Sequence, residues 1–118
     1  MKKHEFYIVD VFAEKKYSGN QLAVVLGAGD LSKEDMESIT REMNYSETTF
    51  ILNHSPVNGG YPARIFTPGG EVPFAGHPTL GTAAVIAREI APGNPDFITL
   101  NLQVGPIPVM RKDHLYIM

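Results

Sequence analysis

The sequence predicts an α+β fold in which a curled mixed sheet, a half-barrel, wraps around a buried central helix. Three observations lead there. About six or seven segments have the β-branched, aromatic or alternating character of strands, and only two have helical spacing. One of those two helices is apolar almost all the way round, which places it inside a domain. A sheet curling around one helix accommodates this count, whereas alternating βαβ units would demand more helices.

The elements follow in order. "EFYIVDVFA", Glu5 to Ala13, is rich in β-branched and aromatic residues and reads as a strand. "KYSGN" turns the chain into "QLAVVL", Gln21 to Leu26, a buried second strand. After "GAGD", Ser32 caps a helix through "KEDMESITREMN", with acidic residues in its first turn as the helix dipole prefers. Met36, Ile39 and Met43 fall at helical spacing and face the core. "ETTFIL", Glu47 to Leu52, is a third strand, "NHSPVNGG" a surface turn, and "YPARIF" a strand that ends at the turn "TPGG". "HPTLGTAAVIAREI" is the apolar helix; its Gly81, Ala83 and Ala84 allow sheet or backbone to approach closely. "APGNPD" ends it, and "FITLNLQVG", "PIPVMR" and "HLYIM" alternate as strands.

Bulk properties narrow the function classes. The chain of 118 residues suits one compact domain, and 43% hydrophobic residues are enough for a core. Ten basic and 13 acidic residues give a net charge of −3 with no basic block, so no nucleic-acid partner is expected. The absence of cysteine excludes disulfides, thiolate metal sites and thiol catalysis. "MKKHEFYIVD" reaches Asp10 before a signal-like apolar run develops, and no stretch approaches a membrane span. The expected compartment is the cytoplasm, and the sequons at Asn44 and Asn53 read as chance matches.

Four features bear on chemistry. "AVVLGAGDLSKED" begins like a dinucleotide fingerprint, but its third small position falls on Ser32, followed by Lys33 and then Glu34 and Asp35, which would repel a pyrophosphate. It reads as a glycine turn before a capped helix. His4, His54, His77 and His114 show no metal-ligand spacing, so neither a metal nor a cofactor is expected. Glu47, at the mouth of an apolar strand, is either a solvated edge or a carboxylate held against apolar walls as a base. His77 and Pro78 read first as helix initiation, with Pro78 at the first helical position and His77 at the cap. A helix start is also an anion site, and Gly76 and Thr79 would suit one.

The succession "DVFAEKKYSGNQLAVV", "NYSETTF" and "RIFTPGGEVPFAGHPTLGTA" resembles the PhzF-like family of phenazine-biosynthesis isomerases, of the diaminopimelate-epimerase-like fold. The resemblance runs over essentially the whole chain, and "FTP..EVPFAGHPTLG" is its most specific part. It implies two similar lobes, each a curled sheet around a central helix, with the active site between them. It implies that Glu47 is the acid/base glutamate and that His77 lines the cleft as a second catalytic residue. Gly76, Pro78, Thr79 and Gly81 match the rest of the helix-start motif, and Gly19 and Asn20 match the "GN" beside the substrate pocket. The implied chemistry is proton transfer on a carbon of a small carboxylate-bearing substrate, with helix-start N–H groups holding the substrate carboxylate. Paired cysteines, the alternative in the wider superfamily, are missing here.

Residues 1–118 resemble only the first, N-terminal lobe, and the chain stops at "LYIM" within an expected strand. The expectation is a truncated chain, a split gene product or an incomplete reading of a longer chain. An isomerase would then need a second lobe or a homodimer partner, whose symmetry would bring two Glu47 carboxylates to one cleft. The alternative is a noncatalytic fragment or a small-anion-binding module.

Overall fold

Residues 4–11, 20–93, 95–112 and 115–118 are described by a computed structural model. The β-rich segments become strands β1 (Phe6–Val11), β2 (Asn20–Val25), β3 (Glu47–Ile51), β4 (Tyr61–Thr67), β5 (Gly70–Val72), β6 (Phe97–Leu102), β7 (Gly105–Lys112) and β8 (Leu115–Ile117). The two helices are α1 (Lys33–Met43) and α2 (Gly76–Val85). Residues 12–19, which carry the end of the first expected strand and the "KYSGN" turn, lie outside the described residues.

The strands form one mixed sheet in the order β1-β2-β3-β4-β6-β7-β8, with β5 pairing beside β4. Two pairs are parallel, β2 with β3 and β4 with β6, and each is joined through a helix, as a parallel pair requires. Helix α2 packs against both β1 and β8, which stand at opposite ends of the strand order, so the sheet curls into a half-barrel.

The alternating faces of β2, β3 and β4 divide the core in two. Leu22, Val24, Ile51 and Ile65 join Ala83, Val85 and Ile86 in a cluster with α2. Val25, Phe50 and Phe66 point the other way and pack around Met36 of α1. The Phe50 and Phe66 rings meet edge to face, with centroids 5.4 Å apart. Strand β3 therefore reads as a continuous apolar run because both of its faces are covered.

Helix α1 starts where its sequence says it should. The Ser32 hydroxyl accepts from Asp35 N–H at 3.0 Å, and Ser32 N–H donates back to the Asp35 carboxylate at 3.2 Å, a capping box. Asn44, in the left-handed region at φ 58°, ends it. Met36 is fully buried as expected, but Thr40 rather than Met43 is the second fully buried position. Thr40 tolerates this because its hydroxyl donates to Met36 C=O at 2.7 Å.

Three boundaries differ from expectation. Strand β5 is a three-residue strand, too short to show a pattern, formed where "TPGG" folds back on β4. A two-residue turn at Gln103 and Val104 separates β6 from β7, which takes Gly105 as its first residue. Helix α2 begins earlier than its proline suggests, with Ala75 as its cap and Gly76 as its first residue. His77 is therefore the second helical residue and Pro78 the third. Thr79 causes the shift, because its N–H donates to Ala75 C=O at 3.2 Å and closes the first turn there. Pro78 is tolerated in that turn, where no N–H is needed. Beyond Val85 the chain widens into a π-helical turn, Ile86–Ile90, closed by Ala91 N–H donating to Ile86 C=O at 2.7 Å. No helix of the described residues is long and apolar enough to cross a membrane.

One ion pair ties β5 to β4. Arg64 donates from Nε and from a terminal guanidinium nitrogen to the two carboxylate oxygens of Glu71, at 2.8 and 2.7 Å. The Glu71 side chain is 7% exposed and that of Arg64 29%, and the guanidinium also lies 5.5 Å from the Phe66 ring centre. The hydrogen bonds from Arg64 hold the Glu71 carboxyl below its ordinary value of 4.5, against the opposing effect of burial. A depressed carboxylate contributes stability above its unfolded pKa and loses it as pH falls through the folded pKa. Glu71→Gln should lower stability at neutral pH by about 1–2 kcal/mol, discounted for the part-exposed guanidinium. In urea unfolding, the gap between wild type and variant should close as pH falls below 4.5.

Candidate active site

The two parallel crossovers bring three element starts to the same end of the sheet. Glu47 opens β3 directly after the turn that follows α1, and the register pairs it with Leu22. Asn20 lies two residues upstream on β2, so its backbone sits at this end as well. Opposite β3, the β4–β5 hairpin leads through Pro73, Phe74 and Ala75 into α2.

Glu47, Ala75, Gly76, His77 and Pro78 line one open depression of about 300 Å³. Glu47 and His77, far apart in sequence, are both half-buried at its wall. Of the expected binding residues, Gly76 and Pro78 also line it. Thr79 and Gly81 are buried behind it in α2, and the Thr79 hydroxyl donates to Ala75 C=O at 2.7 Å, locking the helix tip. Gly19 lies outside the described residues. Ala75, which no sequence signal singled out, supplies both the cap and part of the wall.

Electrostatically, the depression opposes a carboxylate side chain to the positive end of a helix dipole. Pro78 has no N–H and that of Thr79 is spent on Ala75, so the donors of this helix start lie at its very tip. The arrangement suits a small anion at the helix tip with a proton-accepting group beside it.

A second depression of about 400 Å³ opens at the opposite end of the sheet, lined by His4, Glu5, Leu26, Gly27, Gly29, Asp30, Leu52 and His54. His4 Nε2 lies 2.8 Å from the Asp30 carboxylate. No cluster of three or more His, Asp or Glu able to hold a metal exists among the described residues. The rejected dinucleotide glycines have structural work here. A Cβ on Gly29 would come within 2.7 Å of Leu52 C=O, and Gly27 has φ 60°.

Among solved structures, a PhzF-family phenazine biosynthesis protein from Enterococcus faecalis superposes with a TM-score of 0.85 at 34% identity, over 96% of this chain and 42% of that one. A PhzC/PhzF protein from Clostridium difficile gives the same TM-score at 37% identity, over 97% of this chain and 42% of that one. These matches define the fold as that of a PhzF-type protein, in part. The family described as phenazine biosynthesis-like protein matches residues 9–116, and the chain belongs to that family. Trans-2,3-dihydro-3-hydroxyanthranilate isomerase of Pseudomonas aeruginosa is 42% identical over 105 residues, 89% of this chain and 36% of that protein. Its Pseudomonas fluorescens counterpart is 51% identical over 84 residues, 70% of this chain and 30% of that protein. The chain thus spans well under half the length of the relatives it matches.

The Thr79 lock on the helix tip has a measurable consequence. Thr79→Val keeps the shape and removes the hydroxyl bond to Ala75, and should cost about 1 kcal/mol in urea unfolding. Amide exchange should quicken at the start of α2 more than at its end.

Proposed function

We propose that this chain is the N-terminal lobe of a PhzF-like isomerase of the diaminopimelate-epimerase-like fold. The reaction moves a proton on carbon in a small carboxylate-bearing substrate. Glu47 is the acid/base group: its carboxylate takes the proton from a carbon beside an activating group, leaving the electron pair delocalised into that group. The protonated carboxyl then returns a proton at another carbon. The tip of α2 holds the substrate carboxylate and stabilises the charge that builds up in the transition state. His77 stands beside both as the second catalytic residue. Gly76 and Pro78 shape the wall, Thr79 and Gly81 hold the helix behind it, and Gly19 and Asn20 complete the substrate side. No metal or other cofactor enters this scheme.

The observation that carries this reading is the meeting of Glu47 with Gly76 and His77 in one depression, in a chain whose family includes named isomerases. A lone carboxylate on an open wall is only part of a site, so a second lobe or a second copy of the chain completes it. In the dimeric case the two Glu47 carboxylates would share one cleft and could not both ionise easily, which separates an acid from a base.

The test is incorporation of deuterium from heavy water into a dihydro-hydroxyanthranilate or a related carbon acid. Glu47→Gln should slow exchange by roughly 10²–10⁴-fold, the usual contribution of a positioned acid/base group. Equal exchange by variant and wild type would remove Glu47 from the role. Binding of small carboxylates that survives the substitution, with no exchange by wild type, would instead identify an anion-binding module.

A further inference from the structure

Three fully buried side-chain hydroxyls, those of Thr48, Thr49 and Thr82, have no hydrogen-bond partner among the described residues. The other buried helical threonines behave differently. Thr40 and Thr79 each donate to the carbonyl four residues back, at 2.7 Å, the partner a helical threonine always has within reach. Thr82 forgoes that bond.

The positions of two of these groups are related. Thr82 is four residues beyond Pro78, one turn deeper on the same face of α2. Thr49 is two residues beyond Glu47 on the same face of β3, the face whose Ile51 joins the α2 cluster. Pro78 and Glu47 line one depression, and α2 packs against β3. Both elements run inward from the depression. A two-residue step on a strand, ~6.7 Å, nearly equals a four-residue step on a helix, ~6 Å. Thr49 and Thr82 therefore reach the same level from opposite sides, beneath the depression. Thr48 points to the opposite face of β3, toward α1, and takes no part.

We propose that Thr49 and Thr82 hold an internal water molecule beneath the depression and through it position the Glu47 carboxylate. A buried hydroxyl without a partner is costly, and internal waters commonly bond about three polar groups. Two hydroxyls and the carboxylate one pleat above supply that number. The water fixes which way the carboxylate faces and keeps one of its oxygens hydrogen-bonded from behind. Thr49 and Thr82 are positioning residues and touch no substrate. The consequence for exchange chemistry rests on the proposed role of Glu47, while the water site does not.

The experiment joins water-to-protein NMR cross-relaxation with heavy-water exchange kinetics, on wild type, Thr49→Val, Thr82→Val, the double variant and both serine variants. Wild type should show a long-lived water close to Thr49 and Thr82. Either valine should abolish that signal, and either serine should keep it. Each valine should lower the folding constant about tenfold, and the double variant little further, because both groups share one water. Exchange kcat should fall severalfold in the valine variants with KM unchanged, and serine should restore it. A wild type with no long-lived water there, or valine variants more stable than wild type, would overturn the water site. A water that is present, with exchange unaffected by valine, would overturn the positioning role. If wild type catalyses no exchange once its site is completed by a second lobe or copy, the proposed function fails, and the NMR result still decides the water site.

Discussion

Burying α2 on nearly all sides is the constraint from which the rest of the architecture follows. Ala83, Val85, Ile86 and Ala87 are sealed among the strands, and Pro78, Thr79 and Gly81 are buried as well. Apart from the half-buried Leu80 and Ala84, a helix in that position offers solvent mainly its two ends, where backbone groups lack intrahelical partners. The C-terminal end resolves this within the chain, by widening into a π-helical turn that returns Ala91 N–H to Ile86 C=O. The N-terminal end stays at the surface of the depression. Positive dipole charge is thus delivered to one point on the rim of the curled sheet.

Topology then decides what faces that point. Strand β3 runs parallel to β2 because α1 carries the chain back across the outer face of the sheet. Its first residue therefore lies at the end where β2 begins, and that residue is Glu47. The β4–β5 hairpin aims the other wall, since the chain leaves Val72 and reaches Ala75 in three residues. Arg64 clamps this hairpin through Glu71, on the face opposite α2. The ion pair that stabilises the hairpin thereby holds the lead into the helix tip without touching the depression.

How far the sequence reveals this depends on whether the deciding interaction is local. The start of α1 was legible because the cap and its reciprocal partner, Ser32 and Asp35, are three residues apart. The buried character of α2 was legible because apolar residues occupy almost every position around it. Its first residue was not, since Pro78 is compatible with any position in the first turn. The choice of Ala75 rests on a backbone carbonyl that names no side chain. Strand β5 escaped notice for a similar reason: three residues carry no periodicity, and what holds them is a guanidinium on another strand. Residue patterns alone left Glu47 between a solvated edge and a base, and His77 between a helix cap and part of an anion site. Only the succession of motifs recognised as PhzF-like pointed to both together, and the fold then put them in one depression. The depression around His4 and His54 had no signal, because it gathers ends of strands whose proximity the local sequence does not encode.

The polar groups on this side of the sheet also show a gradient that packing alone does not require. An apolar interior between β3 and α2 would be served at least as well by valine at positions 49 and 82, which has the same β-branched shape without a hydroxyl to satisfy. Threonine costs stability wherever its hydroxyl goes unpaired, and elsewhere in these helices the cost is avoided by bonding back to the helix itself. Two of the three exceptions among the described residues, Thr49 and Thr82, lie one step beneath Glu47 and Pro78 on the two elements that form the walls, while the third, Thr48, faces α1. Polar atoms there make sense when the carboxylate above must be held in one orientation rather than merely kept from the core. On the proposed reading of Glu47 as the acid/base group, that requirement is the direction of its carboxylate.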